Sequence, residues 1–173
     1  RSSDLMESCL VGTDDQRIGA VEVFSANIAI CPDFCKNRLI KFFFDSNKQV
    51  REHAASCFRN LAEENLSDFC DLIDEFIKSP SFDSDVEDLI WALGKTTAKL
   101  PDITFEVCRK FIDSTILANN RNYSAEIDVS KLVLRLYSQN KDNSIGESCL
   151  DLIDIMIENY VYRIEKELIN YDR

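Results

Sequence analysis

The fold class of this chain is decided by the stretch Asp45-Ser-Asn-Lys-Gln-Val50-Arg51-Glu-His-Ala54-Ala55-Ser-Cys-Phe-Arg-Asn-Leu61-Ala62. Its apolar residues recur at steps of three and four, the spacing that places side chains on one face of an α-helix. The residues on that face are Val50, Ala54, Cys57, Phe58 and Leu61. A capping box, in which Ser46 precedes Gln49 by three residues, marks the start. The stretch therefore predicts an amphipathic helix of about four turns.

Similar helices are predicted along the rest of the chain. Further capping boxes occur at Thr13/Gln16, Ser84/Glu87 and Ser144/Glu147. Partner helices rich in Phe, Leu and Ile lie between them, over residues 34–44, 69–77 and 105–116. The second helix of each pair is expected to begin near residues 13, 46, 84 and 124. A period of about 33 to 40 residues is typical of stacked helical repeats.

Composition supports a helical domain and argues against two classes of partner. The chain has 173 residues with only 4 Gly and 3 Pro, which disfavours disorder and turn-rich β folds. Its net charge of −11 disfavours binding to nucleic acid or to anionic lipid, since Lys and Arg normally lead such binding. No apolar run approaches the ~20 residues of a membrane span. We therefore expect no nucleic acid and no membrane among its partners.

The cysteines indicate a reducing compartment. There are seven, an odd number, and most lie among apolar neighbours at helical spacing. Buried thiols explain this pattern better than a disulfide framework does, so we expect a cytoplasmic location.

The opening stretch resembles the inter-helix turn and second helix of a HEAT repeat. Asp45 matches the Asp at the turn of that family's pattern, Val50 and Arg51 match its Val-Arg pair, and Ala54 and Ala55 match its small residues. The neighbouring repeats depart from the pattern: Glu87 stands where the Arg would be. The resemblance implies an all-α fold, a right-handed α-solenoid of antiparallel helix pairs. Residues 1–173 would form one domain of about 3–4 pairs with a long C-terminal helix.

A second resemblance concerns the C-terminal third. The stretches Leu132-Val-Leu-Arg-Leu-Tyr-Ser-Gln139 and Cys149-Leu-Asp-Leu-Ile-Asp-Ile-Met156 resemble the helical tail of large bacterial ATP-binding proteins of the signal-transducing NTPase kind. In those proteins the tail acts as a sensor or docking region. The chain begins at Arg1 rather than Met, so we expect it to be a piece of a longer protein.

The residues that usually carry chemistry are sparse. His53 is the chain's single histidine, so no Ser-His-Asp or Cys-His arrangement has a second candidate base. Cys31 and Cys35 are separated by Pro32 and lack further Cys-x-x-Cys ligands, which favours buried thiols over a zinc site. The glycines are scattered singly, and no calcium-binding loop is present. We expect no enzymatic activity, cofactor or metal in this segment.

Charge is unevenly distributed along the sequence. Residues 36–59 carry six Lys and Arg against two acids, whereas residues 60–94 carry ten acids against Lys78 alone. In a stacked array such bands would persist as surface patches. The acidic band supplies one candidate partner-binding surface, which consists of Asp68, Asp71, Asp74 and Glu75.

The C-terminal helix supplies a second candidate surface. From Ser144 it is expected to run to about Asn170, with no proline to interrupt it. Its apolar residues follow a three-four alternation that forms a seam against other helices. Part of the seam should cover residues 125–137, which are apolar almost all round. Either this packing uses the whole seam, or the end of the seam binds a partner or a second copy of the chain through Tyr160, Ile164, Leu168 and Tyr171.

Together these patterns predict a non-catalytic scaffold or protein–protein interaction module built of HEAT-like repeats, with a protein partner. One alternative is a spacer or stabilising cap within a larger protein. Another is the sensor or docking tail of a bacterial NTPase, including one with a role in defence. The third is a HEAT-type nucleic-acid-binding enzyme, such as the repeat-built DNA glycosylases, whose basic channel the net charge disfavours.

Overall fold

The computed structural model describes residues 8–61, 65–118, 121–159, 161 and 164–171. Of these residues, 78% are helical and none lies in a β-strand, so the prediction of an all-α fold is confirmed. The helices in chain order are α1 (Asp14–Asn27), α2 (Pro32–Phe42), α3 (Lys48–Ala55), α4 (Cys57–Leu61), α5 (Leu66–Phe76), α6 (Phe82–Asp85), α7 (Glu87–Thr96), α8 (Pro101–Leu117), α9 (Tyr123–Gln139), α10 (Ser144–Glu158) and α11 (Ile164–Tyr171). Among the described helices, none combines the length and apolar character that a membrane span requires.

The chain divides into two compact units, the first ending at Leu89 and the second beginning at Ile90. In the first unit α1 packs against α2, α3 and α4, while α5 packs against α2 and α4. In the second unit α8, α9 and α10 pack against one another, and α11 packs against α9 and α10. Helix α9 therefore has neighbours on several sides, as its nearly all-round apolar sequence predicts.

Helix starts recur at a nearly constant interval. The residues that cap α1, α3 and α6 are 34 positions apart, at Thr13, Asn47 and Ser81. The residues that precede α2, α5 and α8 are 34 and then 35 positions apart, at Cys31, Asn65 and Leu100. The interval lengthens to 41 between Ser81 and the cap of α9, Asn122. These four intervals thus follow the expected period, and the interval from Ser81 to Asn122 is wider.

The capping boxes predict the positions of the helix starts only to within a few residues. The box at Thr13 and Gln16 is present. Asn47 and Asn143, however, cap α3 and α10 in place of the neighbouring serines, because an Asn side chain accepts from backbone N–H groups as well as Ser does. Ser84 lies inside α6, where its hydroxyl donates to the Ser81 carbonyl at 3.0 Å.

Phenylalanine rings form the centre of the first unit. The ring of Phe58 lies 5.9 Å from Phe43, 5.9 Å from Phe69 and 5.1 Å from Phe76, measured between centroids. Phe76 in turn contacts Phe82 at 5.8 Å. All five side chains are buried. The predicted apolar face of α3 and α4 is buried throughout, and it consists of Val50, Ala54, Cys57, Phe58 and Leu61.

Polar side chains link successive inter-helix turns of the first unit. Arg17 of α1 donates to both carboxylate oxygens of Asp45, at 2.8 and 3.0 Å. Burial alone would raise the pKa of Asp45, but hydrogen bonds from Arg17 and from the Asn47 N–H outweigh it and lower that pKa. Arg51 donates to the Asp45 carbonyl at 2.6 Å and also to the hydroxyl of Ser81. The two arginines each lie four residues beyond a helix cap, and each donates to a residue in a later inter-helix turn.

The C-terminal segment differs from the sequence expectation. Helix α10 ends at Glu158 instead of running to about Asn170, so the prediction of one long C-terminal helix is wrong. The Val161 N–H bonds to the Met156 carbonyl at 2.9 Å, a backward bond that is typical of helix C-termini. Val161 and Ile164 are buried. Burial of these two apolar side chains favours a chain that turns and packs a separate helix, α11, against α9 and α10.

Candidate functional site

A groove of about 330 Å³ lies in the second unit, between the second half of α7 and the middle of α9. Its walls are formed by Ile90, Trp91, Gly94, Lys95, Asp128, Lys131, Leu132 and Arg135. The volume is at the lower end of the range of ligand-binding clefts, roughly 300 to 1,000 Å³. The groove is therefore large enough to receive side chains of a partner.

The α7 wall is aromatic and basic because of the way this helix is buried. The predicted core stripe of Val86, Leu89, Ile90, Leu93 and Thr97 is buried throughout, which confirms the register of the helix. Trp91 and Lys95, one turn apart, lie off this stripe. Trp91, the chain's single tryptophan, is 41% exposed. The Nζ atom of Lys95 lies 4.0 Å from the centroid of its ring. This distance is typical of a cation–π contact.

The α9 wall carries charge on the side of the helix that faces away from the core. Val129, Leu132 and Val133 are buried, whereas Lys131 and Arg135 are exposed one turn apart. The two walls together present a basic groove cluster, which consists of Trp91, Lys95, Lys131 and Arg135.

Arg135 is held in place across the groove. Its Nη1 donates to the Gly94 carbonyl at 2.7 Å, which ties α9 to α7. A β-carbon added at Gly94 would lie 3.7 Å from that nitrogen, an ordinary van der Waals distance. Gly94 therefore leaves space in the groove, and an alanine fits there without displacing Arg135.

The predicted acidic surface is largely engaged in ion pairs of the first unit. Lys36 Nζ lies 2.5 Å from Asp68 and 2.7 Å from Asp71, and hydrogen bonds to Asp68 and then Asp71 raise the pKa of the lysine. Asp68 is itself buried. Glu75 pairs with Lys78 at 3.0 Å. Basic and acidic bands of the sequence thus partly neutralise each other in the fold.

Two further features of the acidic band are one exposed carboxylate and one ion pair. Asp74 is exposed on the same helix, α5, and forms no ion pair with the residues that the structure describes. Arg59, from the basic band, pairs with Asp88 of the acidic band.

The predicted C-terminal surface is only partly described. Ile164 is 1% exposed, so its side chain is not presented to a partner, contrary to the sequence expectation. Leu168 is half-buried in α11. Tyr160 and the side chain of Tyr171 lie outside the described residues. The structure therefore places one of these four side chains in the core and one at its edge.

The repeat-motif residues occupy structural positions. Val50, Ala54 and Ala55 are buried, and they belong to α3, which packs against α1 and α2. Asp45 and Arg51 take part in the turn contacts described above. None of the five lies in the groove.

The cysteines and the histidine are the reactive side chains of this chain. All seven cysteines are free, and four of them are buried. Burial raises the pKa of Cys57 and Cys108, and it raises the pKa of Cys149 to about 11. His53 is partly exposed, with Nδ1 3.3 Å from Glu22. Among the described residues, no group of three or more His, Cys, Asp or Glu has an arrangement that would hold a metal ion.

A second, smaller recess in the first unit is acidic. It measures about 180 Å³ and is lined by Glu52, Ser84, Asp85, Glu87 and Asp88. Asp85 is 8% exposed, and burial raises the pKa of its carboxyl. Ser84 donates to its Oδ1 at 3.0 Å, but Oδ2 has no hydrogen-bond partner in the described part of the chain.

Sequence reasoning missed the basic groove cluster. Its signal was present, because Lys131 and Arg135 are four residues apart in a helix of an acidic chain, and the single tryptophan is followed by Lys95 at the same spacing. That α7 and α9 face each other across a groove is a tertiary fact that the spacing does not contain.

Comparisons with protein-family models, with curated proteins and with solved structures find no match for this chain.

Proposed function

We propose that this chain is a non-catalytic module of HEAT-like helix pairs that binds another protein. Support for the repeat character comes from the 34-residue interval between the caps of α1, α3 and α6. It also comes from the turn contacts of two arginines at equivalent positions after a cap, Arg17 to Asp45 and Arg51 to Ser81. Right-handed stacking of antiparallel pairs, as in HEAT repeats, is part of this proposal.

The observation that carries the binding function is the groove with the partly exposed Trp91. Tryptophan and arginine are enriched among the residues that contribute most to protein–protein affinity. A tryptophan that is 41% exposed beside an arginine fixed by a main-chain bond offers both in one place. The remaining wall residues lie on helices whose backbone is already ordered, so binding orders only their side chains.

The proposal is tested by site-specific photo-crosslinking in extracts of cells that produce the protein. A benzophenone amino acid replaces Lys131 in the groove, Asp74 on α5 or Glu106 on α8, each in a separate full-length variant. We expect one protein to be captured at one position and not at the other two. That protein, once purified, should bind the unmodified chain with a Kd below about 100 μM.

Two results would contradict protein binding. One is the absence of any position-dependent crosslink. The other is a purified captured protein whose affinity for this chain does not exceed its affinity for an unrelated acidic helical protein. Capture at residue 74 or 106 alone would support the function and move the binding surface away from the groove.

A further inference from the structure

The groove is basic in an acidic chain. The chain has 31 acidic and 20 basic residues, but the groove walls carry Lys95, Lys131 and Arg135 against the single acid Asp128. The positive charge of the groove attracts a negatively charged ligand, whereas acidic regions of the surface repel the same ligand. We propose that the groove binds an acidic peptide segment of a partner protein and that one apolar side chain of this segment packs on Trp91. This inference rests on the protein-binding function proposed above.

The two cations of α9 are suited to carboxylates. A guanidinium has five N–H donors in a planar fork, and the bond from Arg135 Nη1 to Gly94 uses only one of them. Lys131 is exposed one turn away, and it makes no ion pair or hydrogen bond with the residues that the structure describes. Side chains at this spacing lie about 5 to 6 Å apart, which matches neighbouring carboxylates of an acidic segment.

The α7 wall supplies the apolar part of the site. The exposed ring of Trp91 offers a flat surface, and Lys95 lies over one part of it at 4.0 Å. Ile90 and Leu132, both nearly buried, close the apolar floor of the groove. An aromatic or aliphatic residue of the peptide gains apolar contact there, while its acidic neighbours reach the cations at the rim.

Two other occupants fit the structure less well. Nucleic acid would bring many phosphates towards a chain with a net charge of −11. A second copy would have to present its own acidic surface, where Asp68 and Asp71 are already paired with Lys36, or its acidic recess, which is concave and so does not enter a groove. The observations therefore favour an acidic segment from a different protein.

The probe is the peptide acetyl-Glu-Asp-Glu-Phe-Glu-Asp-Glu-amide, titrated into the full chain. Because Trp91 is the chain's single tryptophan, its fluorescence reports directly on the groove, and calorimetry gives an independent Kd. We expect saturable binding that weakens between about 0.1 M and about 1 M salt, where the Debye length falls from about 10 Å to about 3 Å. Two control peptides replace all acids by their amides, or Phe by Ala, and both should bind more weakly.

Two pairs of protein variants locate the site. Lys131→Glu should weaken binding of the acidic peptide about tenfold or more, whereas Lys141→Glu, with the same charge change at an exposed position outside the groove, should change it by about twofold or less. Gly94→Leu should fill the groove and abolish binding, while Gly94→Ala should leave it unchanged. Circular dichroism confirms that each variant is folded.

Each other outcome overturns the proposal. Equal effects of Lys131→Glu and Lys141→Glu would mean that attraction is non-specific. Tighter, more salt-dependent binding of an oligothymidylate than of the peptide would indicate nucleic acid, and self-association lost in Lys131→Glu would indicate a second copy. If crosslinking identifies a partner whose affinity is unaltered by Lys131→Glu and Gly94→Leu, the groove assignment fails and the protein-binding function stands.

Discussion

Truncation of Phe58 tests whether the aromatic cluster holds the first unit together. Phe58 is fully buried and its ring contacts those of Phe43, Phe69 and Phe76, which come from the segment after α2 and from α5. Replacing it by Ala removes a side chain that touches both of these parts of the unit at once. The neighbouring rings are anchored on two separate segments, so they are unable to close the cavity without moving backbone.

The expected loss follows from that environment. Phe→Ala substitutions in cores cost about 3–5 kcal/mol, and each lost ring pair adds about 0.5–1.5 kcal/mol beyond the area term. With three such pairs, we place Phe58→Ala at the upper end, about 5 kcal/mol. Phe58→Leu keeps most of the apolar volume and loses only the ring pairs, so it should cost about 2 kcal/mol.

Urea unfolding followed by circular dichroism measures these losses. The matched control is His53→Ala, a truncation of the preceding helix at a side chain that is 42% exposed, which should cost less than about 0.5 kcal/mol. The midpoint should fall in the order His53→Ala, Phe58→Leu, Phe58→Ala, with the slope unchanged. If Phe58→Ala and His53→Ala shift the midpoint equally, the reasoning from the aromatic cluster is refuted.

Three further substitutions probe other parts of the molecule. Leu93→Ala should cost about 2–5 kcal/mol in urea unfolding because Leu93 is fully buried, and a silent result would place it off the core stripe. Arg121→Ala should cost about 3 kcal/mol because it leaves the fully buried carboxylate of Glu126 without its paired arginine. The control Arg109→Ala breaks only exposed ion pairs and should cost less than about 1 kcal/mol. Equal losses of stability in the two variants would contradict this reasoning. Asp85→Asn should raise Tm more near pH 7 than near about pH 4, because burial raises the pKa of Asp85 and penalises its ionised form. This penalty grows as pH rises through the ordinary carboxyl range, and the substitution removes it. A gain in Tm that does not depend on pH would exclude this cause.

Local features of the sequence determine the helices and their order. The faces of α3, α4 and α7 follow from apolar spacing alone, since a helix repeats its own geometry every 3.6 residues whatever its neighbours are. Helix starts at Thr13, Asn47 and Asn143 are predictable to within one residue. The one-residue errors arise because adjacent Ser and Asn are nearly equivalent caps.

Contacts between distant residues decide the rest. The acidic band reads as a free surface in the sequence, but Lys36, 32 and 35 positions away, pairs with Asp68 and Asp71 in the fold. The end of α10 at Glu158 has no proline or glycine to mark it, and burial of Ile164 against other helices favours the turn there. The groove between α7 and α9 likewise depends on how Arg135 meets Gly94 across 41 positions of sequence. Periodicity specifies which face of a helix is apolar, whereas the partner of each polar side chain is set only when the helices pack.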